Sequence, residues 1–378
     1  MTECYLCNTP FTDHNKSYEH IILNAIGGHL KANDLLCKAC NSDFGNSADA
    51  ELAHQLTFLS SFLQVKRESG THQPIRGGKA KDGKEYVLVD GMKPVASKPQ
   101  FEKTEKDGKV NISITARSEK EMLQMLQGLK GKFLQFDVEA AKRSLQWQEY
   151  YMDEPLTFST TIGGELAFRS LLKTAVNYYI HTQKEKSSVE HLFDYLKGVQ
   201  EFKNAKHYHP KKPIYKKEPG EIIHLIHLVG NKGSKLLYCF IELFSSYSFL
   251  IVLSENYTGK NIQSTYAYDV LQSKVVDKKV ALKLRPNDIK ILEKLAVDDF
   301  KIITEKLDRI MKIGQKLQVD REIARISSAA VDKVFEKYKG EPVPTEQMIT
   351  ELSNEISTAY VKFAFRGQQK NRLNWHNF

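Results

Sequence analysis

A chain of 378 residues, 41% of them apolar, has enough material for two or three domains with buried cores. Its formal net charge of +9 favours an acidic partner, nucleic acid first and anionic membrane second, with the basic surplus spread along the chain. Five cysteines in so long a chain, behind an N-terminus (MTECYLC) with no charged-then-apolar leader, exclude a disulfide framework and point to metal binding in a cytoplasmic protein. The most apolar run, Leu236 to Leu253, is interrupted by Glu242 and several serines, so no membrane span is expected.

The first predicted module covers residues 1–65. Two Cys-x-x-Cys pairs, Cys4/Cys7 and Cys37/Cys40, bracket a Glu19–His20 dipeptide. Each pair can set two thiolates on one ion through a tight knuckle, and four thiolates close a tetrahedral structural Zn²⁺ site. A segment this short cannot build a sufficient core, and a metal supplies the missing folding free energy. Ser17 to Ile22 carries strand-forming residues, Gly27–Gly28 signals a turn that permits positive φ, and the stretch from Asn41 reads as a helix weakened by Gly45. The order is strand, strand, helix, with the ligands at the ends. Taken alone, two such knuckles also fit a zinc ribbon that binds and does not catalyse. His29 and His54 read as solvated or packing residues, and Asp49 as a solvated helix position.

The run EHII-x-x-x-IGG, followed by N-x-L-x-C-x-x-C-N, resembles the HNH endonuclease family in its zinc-knuckle branch. The resemblance covers about the first 65 residues. It implies a ββα-metal finger and a phosphodiesterase chemistry. His20 then matches the general base, Glu19 a carboxylate ligand of a catalytic divalent cation, and Asn33 the middle Asn that braces the loop. Asn41 stands where the commonest form has a last His, as in HNN variants, and would complete the cation site. Leu23 replaces a frequent proline. The residue chemistry agrees: His is the side chain whose unperturbed pKa suits a base near neutral pH. A carboxylate and an amide oxygen are hard donors suited to Mg²⁺ or Mn²⁺.

Residues 66–85 are rich in Gly, Lys and Arg and read as a linker or basic loop, with phosphate contact as the functional alternative. In the region 86–220, Tyr86 to Val89 and Val110 to Thr115 read as strands flanking a polar turn at Lys106–Asp107–Gly108. Ser118 to Leu129 reads as a capped helix with Met122, Leu126 and Leu129 on one face. Gly163 to His181 reads as a core helix, with Arg169 and Lys173 on its polar side. The basic stretch from Glu201 to Lys217 offers Lys203, Lys206, Lys211, Lys212, Lys216 and Lys217 to a nucleic-acid backbone, and Tyr208 or Tyr215 to bases; the plain reading is a solvated loop.

The region 221–378 begins with three apolar runs, Glu221 to Val229, Leu236 to Phe244 and Ser248 to Leu253, which form an antiparallel meander with Cys239 as a buried thiol. His224 and His227 fall on opposite faces of their strand, which argues against a shared metal. Tyr257 to Asp269 reads as a polar connection. Two helical stripes follow, Val319, Ile323, Ile326, Ala330, Val334, Tyr338 and then Ile349, Leu352, Ile356, Tyr360, Phe363. The Gly/Pro loop from Lys339 to Pro344 joins them in a hairpin that packs on the core or on a partner, including a second copy. The tail Arg366 to Phe378 is basic and aromatic.

The fold expected is α+β: a zinc-stabilised ββα-metal finger followed by a larger mixed module ending in a helical hairpin. The function expected is metal-dependent endonuclease on DNA, with structural Zn²⁺, catalytic Mg²⁺ or Mn²⁺ and no membrane partner. The appended module would target or sense, through a guide-bearing protein, a sensor protein or a second-messenger ligand, and a restriction or antiphage role is the analogy such fusions suggest. The alternatives are a non-catalytic zinc-finger nucleic-acid-binding protein and a nuclease subunit active only within a larger complex.

Overall fold

The computed structural model describes residues 2–89, 92–106, 109–133, 136–143, 145, 152, 155–290, 297–341 and 343–365. The turn expected at Asp107–Gly108 and the tail from Arg366 lie outside them. The chain is mixed α+β and divides into two compact units, Met1–Gln73 with Thr160–Lys316, and Pro74–Ser159 with Leu317–Phe378. The boundary drawn in the sequence at residue 65 therefore falls inside the first unit.

In chain order, the first unit opens with β1 (Glu19–His20), β2 (Lys31–Ala32), α1 (Lys38–Asn46), α2 (Ala48–Gln55) and α3 (Thr57–Phe62). The short strands pair antiparallel, Glu19 opposite Ala32 and His20 opposite Lys31. Between them the chain turns through Gly27, at φ 85°. At Gly28 a Cβ would sit 1.9 Å from the Ile22 carbonyl oxygen, so only glycine fits. The expected single helix beyond Asn41 is broken at Ser47 and Leu56 into three short ones.

The second unit contributes β3 (Ile75–Lys79), β4 (Glu85–Val89), β5 (Lys93–Ala96), β6 (Gln100–Lys106), β7 (Lys109–Thr115), α4 (Glu119–Lys132) and α5 (Val138–Arg143). β3–β4–β5 form one antiparallel sheet and β6–β7 another. The expected linker thus contains β3, and the expected polar stretch between two strands contains β5 and β6. The α4 expectation holds in detail: the Ser118 hydroxyl accepts from the Glu121 N–H at 3.2 Å, and Met122, Leu126 and Leu129 are buried against Ile112 and Ile114 of β7.

Returning to the first unit, the chain forms α6 (Glu165–Gln183), α7 (Phe193–Leu196), β8 (Ala205–His207), β9 (Ile223–Asn231), β10 (Leu236–Leu243), β11 (Tyr247–Ser254), β12 (Ile262–Asp269), β13 (Lys274–Val275) and α8 (Pro286–Lys290). Six strands make one antiparallel sheet in the order β13–β12–β9–β10–β11–β8. The central strands are nearly all buried because both faces are covered. Val280, Leu282 and Ile289 pack on one face with Leu225, Tyr238, Phe240 and Leu250, and α6 packs on the other. That explains continuous apolar runs where a half-exposed sheet would alternate. β12 corrects the expected polar connection: its polar residues (Gln263, Ser264, Thr265) pair with β9 near the sheet edge, where burial is partial.

Last come α9 (Val297–Lys337) and α10 (Glu346–Ala364). Residues 317–337 of α9 and all of α10 belong to the second unit. There they form the expected hairpin, with Ile326, Ala330 and Val334 buried and the ion pairs Lys333–Glu355 and Lys337–Glu351 bridging the helices. The α10 stripe differs in part from the expected one: Ile349 and Tyr360 are exposed and Met348 is buried, while Phe363 is buried as expected. No helix among the described residues is long and apolar enough to cross a membrane.

Candidate functional site

The N-terminal knuckle is made by backbone: Cys4 N–H donates to the Thr9 carbonyl at 2.9 Å, and Asn8 N–H returns to the Cys4 carbonyl, with Asn8 at φ 56°. The second pair stands at the start of α1, where Cys37 is the N-cap and Cys40 lies in the first turn. Tyr5 N–H donates to the Leu35 carbonyl at 3.1 Å and docks one knuckle on the other. All four Sγ atoms lie within 4.8 Å of one another, and Cys7 Sγ is 3.7 Å from Cys37 Sγ. A disulfide needs about 2.05 Å. Four thiolates at about 2.3 Å from a tetrahedral ion stand roughly 3.8 Å apart, which this spacing matches. Burial pushes the Cys4 and Cys40 thiols up, and on Cys40 the neighbouring thiolates add to it. At Cys7 burial also opposes ionisation, but the Thr9 hydroxyl and N–H bring the thiol down to about 6. A crowd of sulfurs that repel one another when ionised fits a bound cation, and the donor set fits zinc.

On the hairpin between the pairs, His20 is half-buried and its ring points away from the core. Its Nε2 lies 3.2 Å from Glu68 Oε2. The same carboxylate takes Lys31 Nζ at 2.7 Å and stands 3.6 Å from His29 Nδ1. Glu68 is held there because Asn24 grips its backbone: Glu68 N–H donates to Asn24 Oδ1 at 2.8 Å, and Asn24 Nδ2 donates to the Ser69 carbonyl at 3.1 Å. Burial lowers the His20 pKa below its ordinary value, and Glu68 partly offsets this. Tyr18 is exposed beside this group, with Lys31 Nζ 5.7 Å from its ring centroid. His29, expected to be solvated or packing, also stacks on Tyr268 at 4.9 Å. His54 is exposed.

Glu19, one residue earlier, faces the opposite way. Its carboxylate is 1% exposed as a residue and meets Lys173 Nζ at 2.5 Å, with Asn177 Nδ2 donating at 3.1 Å. Lys173 also bonds Asp49, whose other oxygen accepts from Ser170 Oγ at 2.6 Å. Tyr5 Oη donates to Asn177 Oδ1 at 2.8 Å and completes a buried network. Burial opposes the Lys173 charge, yet Glu19 and Asp49 together hold its pKa above the ordinary lysine value. Two sequence expectations are corrected here. Lys173 is not on a solvated helix face, and Asp49 is not a solvated position; each is buried because the other neutralises it. Asn33 is exposed after β2. Asn41 Nδ2 donates to Ser17 Oγ at 3.3 Å. The pair expected to hold a divalent cation therefore does not present a free carboxylate to one: the Glu19 oxygen is taken up by an ammonium inside the protein.

Several residues outside the N-terminal segment were expected to touch nucleic acid. Tyr215 is buried and bonds Glu242, so it presents no face for stacking, and Tyr208 is partly buried, packed edge-on against Phe240 at 6.1 Å. Lys217 also pairs with Glu242, at 2.8 Å, and Lys216 with Glu218, at 2.9 Å. Lys203 and Lys212 are exposed. His224 and His227 are separate, as their spacing required: His224 Nε2 donates to the Ile26 carbonyl at 2.8 Å, and His227 Nδ1 meets Thr265 Oγ1 at 2.7 Å. Cys239 is fully buried, and burial raises its thiol pKa.

Sequence reasoning missed Glu68, which sits in an unpatterned polar stretch, and the pairing of Lys173 across more than a hundred residues. A lysine amid the apolar residues of a core helix was the available signal for the second. No curated protein and no solved structure matches the chain. What does match, over residues 4–57, is the model of the HNH endonuclease family.

Proposed function

We propose that this chain is an endonuclease that hydrolyses phosphodiester bonds in DNA, with His20 as general base. The observation that carries the reading is the outward His20 with Nε2 on Glu68, set on a hairpin closed by the cysteine centre and contained in the family match. A neutral imidazole that donates from Nε2 to a carboxylate keeps the Nδ1 lone pair as its acceptor. Nδ1 takes a proton from water, and the resulting hydroxide attacks phosphorus. The P–O bond on the far side breaks, and the leaving oxygen is protonated from solvent. Lys31 and the exposed Tyr18 flank the base and supply a cation for phosphate and a face for a base.

The remaining residues form the targeting or sensing part, in keeping with a restriction or antiphage effector, alone or within a guide- or ligand-activated complex. A second reading, a zinc-stabilised nucleic-acid-binding module without catalysis, is favoured by one observation, the pairing of Glu19 inside the protein. Nicking of supercoiled plasmid with Mg²⁺ or Mn²⁺, against EDTA and against His20→Ala, separates the two. Metal-dependent nicking lost in the variant supports the enzyme, and DNA binding with no nicking under any metal supports the module.

A further inference from the structure

Glu19, the acid of the Glu19–His20 pair, has no part in the proposed reaction. Glu19 and Lys173 are 2% and 1% exposed at their side chains, so their 2.5 Å contact is shielded from water. Ser170, Lys173 and Asn177 of α6 meet the N-terminal segment and are spaced three and then four apart, which puts them on one helix face. Their partners overlap: Ser170 reaches Asp49 in α2, Lys173 reaches both Asp49 and Glu19 in β1, and Asn177 reaches Glu19 and, before β1, Tyr5. The Lys173 ammonium also lies 5.2 Å from the Phe44 ring centroid, against α1. Burial raises the Glu19 pKa, and Lys173 partly offsets this. An external cation could take the Glu19 oxygen that Lys173 holds only by displacing the ammonium from it and leaving Lys173 with Asp49 alone.

We propose that Glu19 is an internal anchor and not a cation ligand, and that Lys173 is a positioning residue which, through Glu19, fixes β1 so that His20 is presented at the surface. The assignment rests on the endonuclease reading for its catalytic consequence. Neighbouring residues on a strand point to opposite faces, so holding Glu19 inward holds His20 outward. The segment that carries the motif then depends for its geometry on a helix that begins at Glu165, far beyond the matched residues.

The test uses the full-length chain and three variants, Glu19→Gln, Lys173→Met and Glu19→Gln/Lys173→Met. Plasmid nicking is measured across a Mn²⁺ titration, with kcat and KM separated, alongside zinc content and thermal unfolding. The glutamine oxygen can still accept from Lys173 and Asn177, so Glu19→Gln should nick at close to the wild-type rate with an unchanged Mn²⁺ requirement. A loss of roughly 10²-fold or more in that variant, with a raised Mn²⁺ requirement, would mean Glu19 stabilises reacting charge through a cation and would overturn the proposal. Lys173→Met leaves two facing carboxylates without their cation, and its kcat should fall with KM and zinc content retained. Adding Glu19→Gln should restore a large part of that kcat, which a purely structural lysine would not predict. Equal kcat in the single and double variants would overturn the positioning role. If Lys173→Met does not fold, the Glu19→Gln result decides. If wild-type protein nicks no DNA, the endonuclease reading fails by itself. The anchor is then read from melting alone: the double variant should melt above Lys173→Met, and equal melting temperatures would refute it.

Discussion

Replacing Cys37 with serine removes one thiolate from the cysteine centre and should unfasten the hairpin that carries His20. Cys7 and Cys37 are 30 residues apart, so a metal joining the two knuckles closes a loop of that length. By the chain-entropy relation used for covalent cross-links, such a closure stabilises the folded state by about 4 kcal/mol. The first unit holds about 230 residues, for which roughly 1 kcal/mol shifts Tm by about 2–4 °C. Cys37→Ser should therefore lower its Tm by about 10 °C. Wild-type protein should carry one tightly held zinc per chain by elemental analysis, and the variant clearly less. Limited proteolysis should cut the variant first between residues 1 and 60, while β9–β11, buried on both faces, stay protected. A Cys37→Ser protein with full zinc and an unchanged melting temperature would refute the reasoning, as would wild-type protein purified without zinc.

The remaining expectations are shorter. His20→Ala should cut kcat by about 10²–10⁴ with zinc content, Tm and DNA affinity little changed, measured by single-turnover nicking and by binding to an uncleaved duplex. Because burial lowers the His20 pKa, wild-type nicking should rise with pH and level off below the pH at which an ordinary histidine would. Removing the Glu68 charge with Glu68→Gln should move that rise to still lower pH, and a shift upward would contradict the assigned contact. Glu242 governs acid stability. Burial opposes its charge, but Lys217 and Lys306 outweigh burial and hold the carboxyl at about 2, down from 4.5. A depressed folded pKa contributes stability that is complete above the ordinary value and is lost as pH falls towards about 2. That contribution is about 3 kcal/mol, readable from urea unfolding between those limits. Glu242→Gln should flatten the pH dependence in the same window, and parallel curves for the two proteins would show that the group does not titrate there. Gly28→Ala should destabilise the N-terminal segment, since its Cβ meets backbone at 1.9 Å, and unchanged protection of the hairpin amides would contradict that.

Much of this arrangement could be read from residues alone, where local chemistry decides it. The Ser118 cap, the Gly27–Gly28 turn, the paired cysteines and the apolar meander each follow from a few adjacent side chains and stand where expected. What escaped depends on distant partners. Lys173 looked solvated because a charged residue on a helix normally is, and only Glu19 and Asp49 make its burial tolerable. Tyr215 looked available for stacking until Glu242, itself hidden in a strand, took its hydroxyl. β12 looked like a connection because an outer strand with a partly exposed face can be polar. Glu68 carries no pattern at all; its place beside His20 comes from Asn24 holding its backbone.

The interrupted path of the first unit also has a consequence during synthesis. The hairpin leaves the ribosome before its anchor, since Asn177, which bonds Glu19, follows 158 residues later. At about 5–20 residues per second that interval is roughly 10–30 s. During it the cysteine centre can already load, while the Glu19 carboxylate has no ammonium to meet. With zinc bound, the nascent hairpin would be closed but unanchored until α6 arrives. A ribosome stalled before Glu165 should display a segment that resists chelation yet remains open to protease.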